Sequence, residues 1–397
     1  MFALVLRNAA FGRLWAGSTI SLFGDQFFLV ALPWLIIGLT SSSVALSTIL
    51  MTAAIPRAVL MLVGGAVTDR HSPKFILAST AAVRAILVFA LAALTFSHQI
   101  IIWHLYIVAG LFGIADAFAI PAGRALRPSI VAADDLQAAN SLTQTSAQLS
   151  GIIGPLPAGL AVRTLGIAQA FLIDAISFVF VIAALLGLPR GESKPRSGGS
   201  MWTSIVEGFA YVASDRPLSA LMVLAAALNF GISGPASVGL VLIAQHRFGS
   251  ASAFAALVSA LALGSLAGTF GAGILKMRSH RGLLLLGGSA AIGVLLGAIP
   301  FVPSEIGVVV LLAAIGAISG LVNVSLQTWL QQRIEPEMRG RALSLLMLAV
   351  VGLLPLSIAF AGVLAQISLY VLFLASAGLV VAAAAGGLVS GRLTAVE

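Results

Sequence analysis

Again and again this chain runs for twenty or more residues on apolar side chains, with only a short polar turn between one run and the next. Coiled as an α-helix, about 20 apolar residues match the ~30 Å hydrocarbon core of a bilayer. Inside lipid every backbone N–H and C=O must find its partner within the segment, so a helix is the economical way to cross. Twelve such spans are read, at about 11–39, 44–68, 75–96, 100–123, 138–162, 167–188, 217–245, 251–275, 281–302, 305–331, 338–365 and 368–391. Only 9% of residues are charged, against about 25% in a soluble domain. The expected fold class is therefore an all-α integral membrane protein. The first run follows Arg7 and Arg13 but is too long, and too polar inside, for a cleaved signal peptide. With no cysteine, neither a disulfide framework nor a thiolate metal site is available.

Orientation follows from the basic residues. With the N-terminus placed in the cytoplasm, inner loops and tails hold seventeen of the 21 lysines and arginines. Only Arg163 and Arg247 fall outside, while Arg57 and Arg84 lie within spans. That asymmetry is the positive-inside pattern. It predicts a multi-pass protein of the inner (plasma) membrane with both termini cytoplasmic. The net charge of +8 is then a topology signal rather than the basic face of a nucleic-acid binder.

The chain also repeats itself. Six spans end at Pro189, "PRGESKPRSGGS" (189–200) follows, and six more spans come after it. "LFGDQFFLV" lies 204 positions before "ALNFGISG", setting Asp25 against Asn229. "SIVAADDLQAANSL" stands 204 before "RIEPEMRGRALSLL". The expected organisation is a six-helix half over 1–188, a cytoplasmic linker with a short amphipathic helix over 189–216, and a homologous half over 217–397. Two such halves are a known plan for secondary transporters.

The turn "GGAVTDRHSPK" (64–74) resembles the loop signature between the second and third helices of the major facilitator superfamily. Gly65, Asp69, Arg70 and Lys74 match it, whereas Ser72 and Pro73 depart. "QAANSLTQTSAQLSGIIGP" and "PEMRGRALSL" are similar to the enterobactin-exporter and macrolide-efflux-like branch. The resemblance implies twelve helices in two six-helix halves, with a substrate site between the halves near mid-membrane. It further implies a gating latch: Gly64 and Gly65 let the second helix approach the eleventh, with Asp69 near that helix's N-terminus. Arg70 and Lys74 are expected to pair with loop acids. "GIIGPLPAG" (151–159) resembles the Gly-Pro signature of antiporting members, which brings Gly154 and Pro155 into the gating set. The arginine expected in the fourth helix of drug–proton antiporters would fall at Ala109 and is absent.

Placing a charge at the centre of a membrane helix costs ~2.5–3.5 kcal/mol, so each one needs a reason. Asp25, beside Gln26 and about mid-depth, is the first candidate for a proton or cation site; otherwise it is an ion-pair partner for Arg57 or Arg84. Asp116, nearer the cytoplasmic end of its span, is a candidate gate or proton-path residue, and Asp174 is read as structural. In the second half Asn229 marks a span that glycines and Pro235 can loosen. Asn323 and Gln327, one turn apart, share a helix face. These three are candidate substrate contacts, with Phe23, Phe27, Phe28 and Phe230 as apolar wall.

Other classes fit poorly. The histidines sit at span ends and form no zinc-binding pair, and no GxxxxGK[ST] loop exists to bind ATP phosphates. The reading is a secondary transporter, not an enzyme, acting as a monomer without cofactor or metal. It exports small lipophilic or amphipathic molecules by alternating access, with protons as the coupling ion. A lipid flippase or a nutrient importer on the same fold stays open.

Overall fold

The computed structural model describes residues 2–188, 201–275 and 281–390. The expected linker core, 189–200, lies outside them, as do the basic turn at 276–280 and the C-terminal tail from 391. Sixteen α-helices are present among the described residues. A short α1 (Phe2–Arg7) precedes α2 (Ala9–Thr40), α3 (Ser43–Arg70), α4 (Pro73–Phe96) and α5 (Ile102–Ile130). Next come α6 (Leu136–Ile153), α7 (Pro155–Thr164) and α8 (Ile167–Leu186). After the linker, α9 (Met201–Ser214) leads into α10 (Arg216–Gly234), α11 (Leu240–Ile243), α12 (Ala251–Leu275) and α13 (Arg281–Ala298). The chain ends with α14 (Glu305–Arg333), α15 (Pro336–Ile367) and α16 (Leu369–Val389).

Among the described residues ten segments are long and apolar enough to cross a bilayer. Two further crossings complete the twelve. One is α6 with α7, a single rod interrupted at Gly154-Pro155; the other is the 32-residue α15. Polar residues between the apolar runs start the helices. Asn8, Ser42, Asp215, Ser304 and Ser368 each accept a backbone N–H three residues on, at 3.0–3.2 Å. These caps satisfy donors that the first turn leaves open.

The chain gathers into two compact units. One holds α1–α8 together with the start of α12 through Ser259; the other holds α9–α11, the rest of α12 and α13–α16. Inside the first, α3 lies on α5 backbone to backbone. A methyl group on Gly64 would strike the Ala117 carbonyl, and one on Gly113 would strike that of Ala53. Inside the second, α12 meets α14 in the same manner, with Gly264 on Ala313, Gly268 on Ala317 and Gly320 on Ser265. Gly64 and Gly268 are 204 positions apart, the offset that relates Asp25 to Asn229. Glycines allow such approach where lipid offers no hydrophobic drive and packing must hold the helices together. The repeat read from the loops is thus present in the packing.

Candidate functional site

The site grows from α2, whose faces have different tasks. Toward α6, the Trp15 indole N–H donates to the Ser146 hydroxyl at 3.0 Å and the Ser150 hydroxyl donates to the Leu22 carbonyl at 2.5 Å. One turn on, Gly154 stands against the Gln26 side chain. The Gly-Pro interruption of the fifth span therefore falls beside Gln26, next in sequence to Asp25. Toward α8, Gly17 lies on the Phe180 carbonyl and Gly24 on the Ser177 hydroxyl.

The third face looks into the half, onto a half-buried charge cluster. Arg84 donates a short hydrogen bond to Asp116 Oδ1, and Arg57 reaches Asp116 Oδ2 at 3.5 Å. Arg57, Arg84 and Asp116 sit midway along α3, α4 and α5 respectively. Asp116 is thus deeper than its expected place near the cytoplasmic end, because α5 continues through Pro121 and Pro128 to Ile130. Aromatic rings close around the guanidinium: Arg84 Cζ lies 5.1 Å from the Phe112 ring centre and 5.8 Å from that of Phe178. Phe28 stacks on Phe112 at 4.7 Å, with planes 7° apart. A cation over an aromatic face is stabilised by the ring's negative face.

Asp25 is the odd member. Both guanidiniums of the cluster go to Asp116, and among the described residues no arginine nitrogen comes within salt-bridge distance of Asp25. The ion pair with Arg57 or Arg84 weighed for Asp25 is made by Asp116 instead. Asp25 and Arg84 line one cavity of about 300 Å³ among α2, α4, α5, α6 and α8. Its wall carries the hydroxyls of Ser18, Ser21, Thr80, Thr143 and Ser146, and it extends to Arg124 and Arg127. Those two arginines also border a hollow of about 780 Å³ beside Asn140 and Gln144. Arg127 Nη1 donates to Asn140 Oδ1 at 2.7 Å.

Other expected wall and latch residues are placed differently. Phe23 and Phe27 line a separate apolar hollow with Ile173, Ile176 and Phe180, away from Phe28. Gly64 makes a close approach within its own half, to α5. A methyl on Gly65 would meet nothing within 4 Å among the described residues. Asp69 and Arg70 are exposed in the last turn of α3. Lys74 donates not to a loop acid but to the Leu188 carbonyl, just past the end of α8, where a helix dipole favours a cation.

In the second half the loosening expected after Asn229 is a π-helical turn at Pro235–Gly239, a feature frequent at functional sites. The Ser357 hydroxyl donates to the Phe230 carbonyl at 2.5 Å and accepts the Gly234 N–H at 2.7 Å, pinning the turn to α15. Phe230 packs on Phe360, ring centres 5.3 Å apart. Asn229 Oδ1 is buried without a hydrogen-bond partner. Gln327 Nε2 donates to Asn323 Oδ1 at 3.2 Å, and both side chains are exposed.

Sequence reasoning passed over Phe112 and Phe178, since nothing in an apolar run marks which phenylalanine faces an arginine. It also set Asp174 aside as structural, although Asp174 sits against Gly24, one residue from Asp25.

The family model of the Major Facilitator Superfamily matches residues 14–356. Macrolide efflux protein A of Streptococcus pyogenes is 25% identical over 341 residues, covering 84% of each chain. The enterobactin exporter EntS of Escherichia coli is 26% identical over 344 residues, covering 85% of this chain and 81% of its own. The crystal structure of the nucleoside transporter NupG superposes with a TM-score of 0.79 over 96% of this chain and 98% of its own, at 15% identity. That likeness is one of fold alone. With a match running through both six-helix halves, twelve crossings and a repeated packing core, the chain belongs to the Major Facilitator Superfamily.

Proposed function

We propose that the protein exports small lipophilic or amphipathic molecules across the inner membrane by alternating access, exchanging them for protons. The observation that carries the coupling is Asp25, midway along α2, open to a cavity and without a guanidinium partner. The cluster around it counts three carboxyls, Asp25, Asp116 and Asp174, against the two guanidiniums of Arg57 and Arg84. An unmatched charge at this depth is costly, and a single proton completes the balance. One proton moving inward through ~100 mV yields about 2.3 kcal/mol, enough for roughly a 50-fold gradient of a neutral substrate. Export is supported by relatives named for macrolide efflux and enterobactin export, each matched over more than four fifths of its length.

In this reading Asn229, with its unused acceptor, and the exposed Asn323 and Gln327 contact substrate, while Gln26 and the Gly154-Pro155 break let α2 and the fifth span shift together. Gly65, Asp69, Arg70 and Lys74 form the cytoplasmic gate. The test is transport in reconstituted vesicles with erythromycin as the macrolide probe, under imposed proton or sodium gradients. Proton-driven accumulation is expected in the unmodified protein and is lost in Asp25→Asn. Accumulation by Asp25→Asn equal to the unmodified protein would remove Asp25 from the coupling role.

A further inference from the structure

Asp174 is completely buried. Its Oδ2 has no hydrogen-bond partner, and its Oδ1 receives only a long contact from the Ser177 hydroxyl, at 3.4 Å. Among the described residues no arginine or lysine reaches it within salt-bridge distance. A carboxylate left in this condition bears most of the cost of burial uncompensated. The residue it faces is Gly24: a methyl there would lie 3.0 Å from Asp174 Oδ1. Glycine at 24 is thus what allows the α8 carboxyl to come up to α2 at the position next in sequence to Asp25. The other charged groups that face the pair are Arg84 from α4, Asp116 from α5 and Arg57 from α3. The facing stretch of α6 offers hydroxyls, at Ser146 and Ser150, but no charge.

We propose that Asp25 and Asp174 act as one unit, a carboxyl pair that carries one proton at a time, with Asp25 as the member that exchanges it. This rests on the proton-coupled reading above and extends it to a second residue. Two neighbouring carboxylates repel when both are ionised, so the pair takes up its first proton as a unit. Arg84 and Arg57 both bond Asp116, and among the described residues neither makes a salt bridge to Asp25 or Asp174, so Arg84 attracts the pair without neutralising it. Asp25 faces the hydroxyl-lined cavity that ends at Arg124 and Arg127, whereas Asp174 lies behind it. On release the proton leaves Asp25 for water in that cavity, and the pair is left as two carboxylates with one uncompensated charge. That charge favours the rearrangement in which the next proton is taken up. Because the cavity lies wholly within the first half, this route need not coincide with the path of the exported molecule.

The test needs no substrate. Infrared difference spectra of the purified protein in lipid nanodiscs, recorded across pH, report protonated carboxyls by their C=O stretch. The unmodified protein should show one such band disappearing as pH rises. Asp25→Asn and Asp174→Asn should each remove it or displace its midpoint, and Ser177→Ala, which keeps both carboxyls and only trims a hydroxyl, should shift its frequency. If Asp25→Asn removes the band while Asp174→Asn and Ser177→Ala leave it unaltered, the pair is overturned and Asp25 stands as a lone proton site. If the unmodified protein shows no titrating carboxyl band, proton coupling through this cluster falls, and the pair with it.

Discussion

Gly154 and Gln26 meet where the broken fifth span crosses the first, and the glycine leaves no room for a Cβ that does not displace the glutamine. The nearest obstacle, Gln26 Cγ at 2.4 Å, is a side chain that can turn, while the Ser150 carbonyl at 2.5 Å belongs to the same rod and must give at its break. Gly154→Ala should therefore fold, at a stability cost within the ~1–3 kcal/mol typical of overpacking, while turning Gln26 away from its place beside Asp25. Transport in vesicles is expected to drop severalfold with a melting temperature close to the unmodified value. An unchanged transport rate would show that Gln26 can leave this position without consequence.

Gly64 poses the opposite case. Here the obstacle is the Ala117 carbonyl of α5, which cannot swing aside. Gly64→Ala should lower thermal stability in detergent and reduce yield, whereas Gly65→Ala should melt like the unmodified protein. Equal melting of the two variants would contradict the backbone contact between α3 and α5.

Arg84 is held by Asp116 and by the rings of Phe112 and Phe178. Removing one partner of a buried pair costs about 3–5 kcal/mol, because the other charge is stranded. The remaining Arg57–Asp116 contact at 3.5 Å should soften that loss in Arg84→Leu. Arg84→Leu with Asp116→Leu should recover part of the lost melting temperature while remaining inactive. Additive losses in the double variant would mean that the two side chains do not depend on each other.

Orientation can be read directly, since the chain has no cysteine and single introduced thiols have no background. Ser42→Cys and Ser304→Cys should react with an impermeant reagent added outside intact cells, and Ser72→Cys should not. Labelling at Ser72→Cys from outside would invert the topology.

Asp69→Asn tests the gate. It should fold normally and slow transport, because the carboxylate is expected to steady one state of the cycle rather than the fold. A rate equal to the unmodified protein would reduce the turn at 69–74 to a solvated link between helices.

The spans were legible because length and apolarity are dictated by the bilayer, and the structure moves their ends by only a few residues. The exception, the seven residues from Arg124 to Ile130 at the end of α5, shows the limit. Prolines 121 and 128 and two arginines read as a turn, yet the helix carries on. The charged members of the site were legible too, since each breaks an apolar run. Their pairing was not. Asp25 and Asp116 look alike along the chain, and only the placement of α3, α4 and α5 gives both arginines to Asp116. Gly64 shows a related limit: a glycine announces a close approach without naming the partner, here the Ala117 carbonyl of α5. Asp174 was read from depth alone, and its position along α8 says nothing about the glycine that faces it across the helix contact.

The glycine-to-carbonyl contacts of α3 with α5 and of α12 with α14 have a consequence for how such a protein can change over generations. Ordinary helix contacts offer side chains that can be trimmed or enlarged in small steps. These offer only main chain, and the first step, adding a methyl, is already too large. Variation in what the protein carries must therefore be sought elsewhere in the chain, where side chains meet side chains. Those two helix pairs are passed on as fixed units, and libraries built to alter its cargo should leave them untouched.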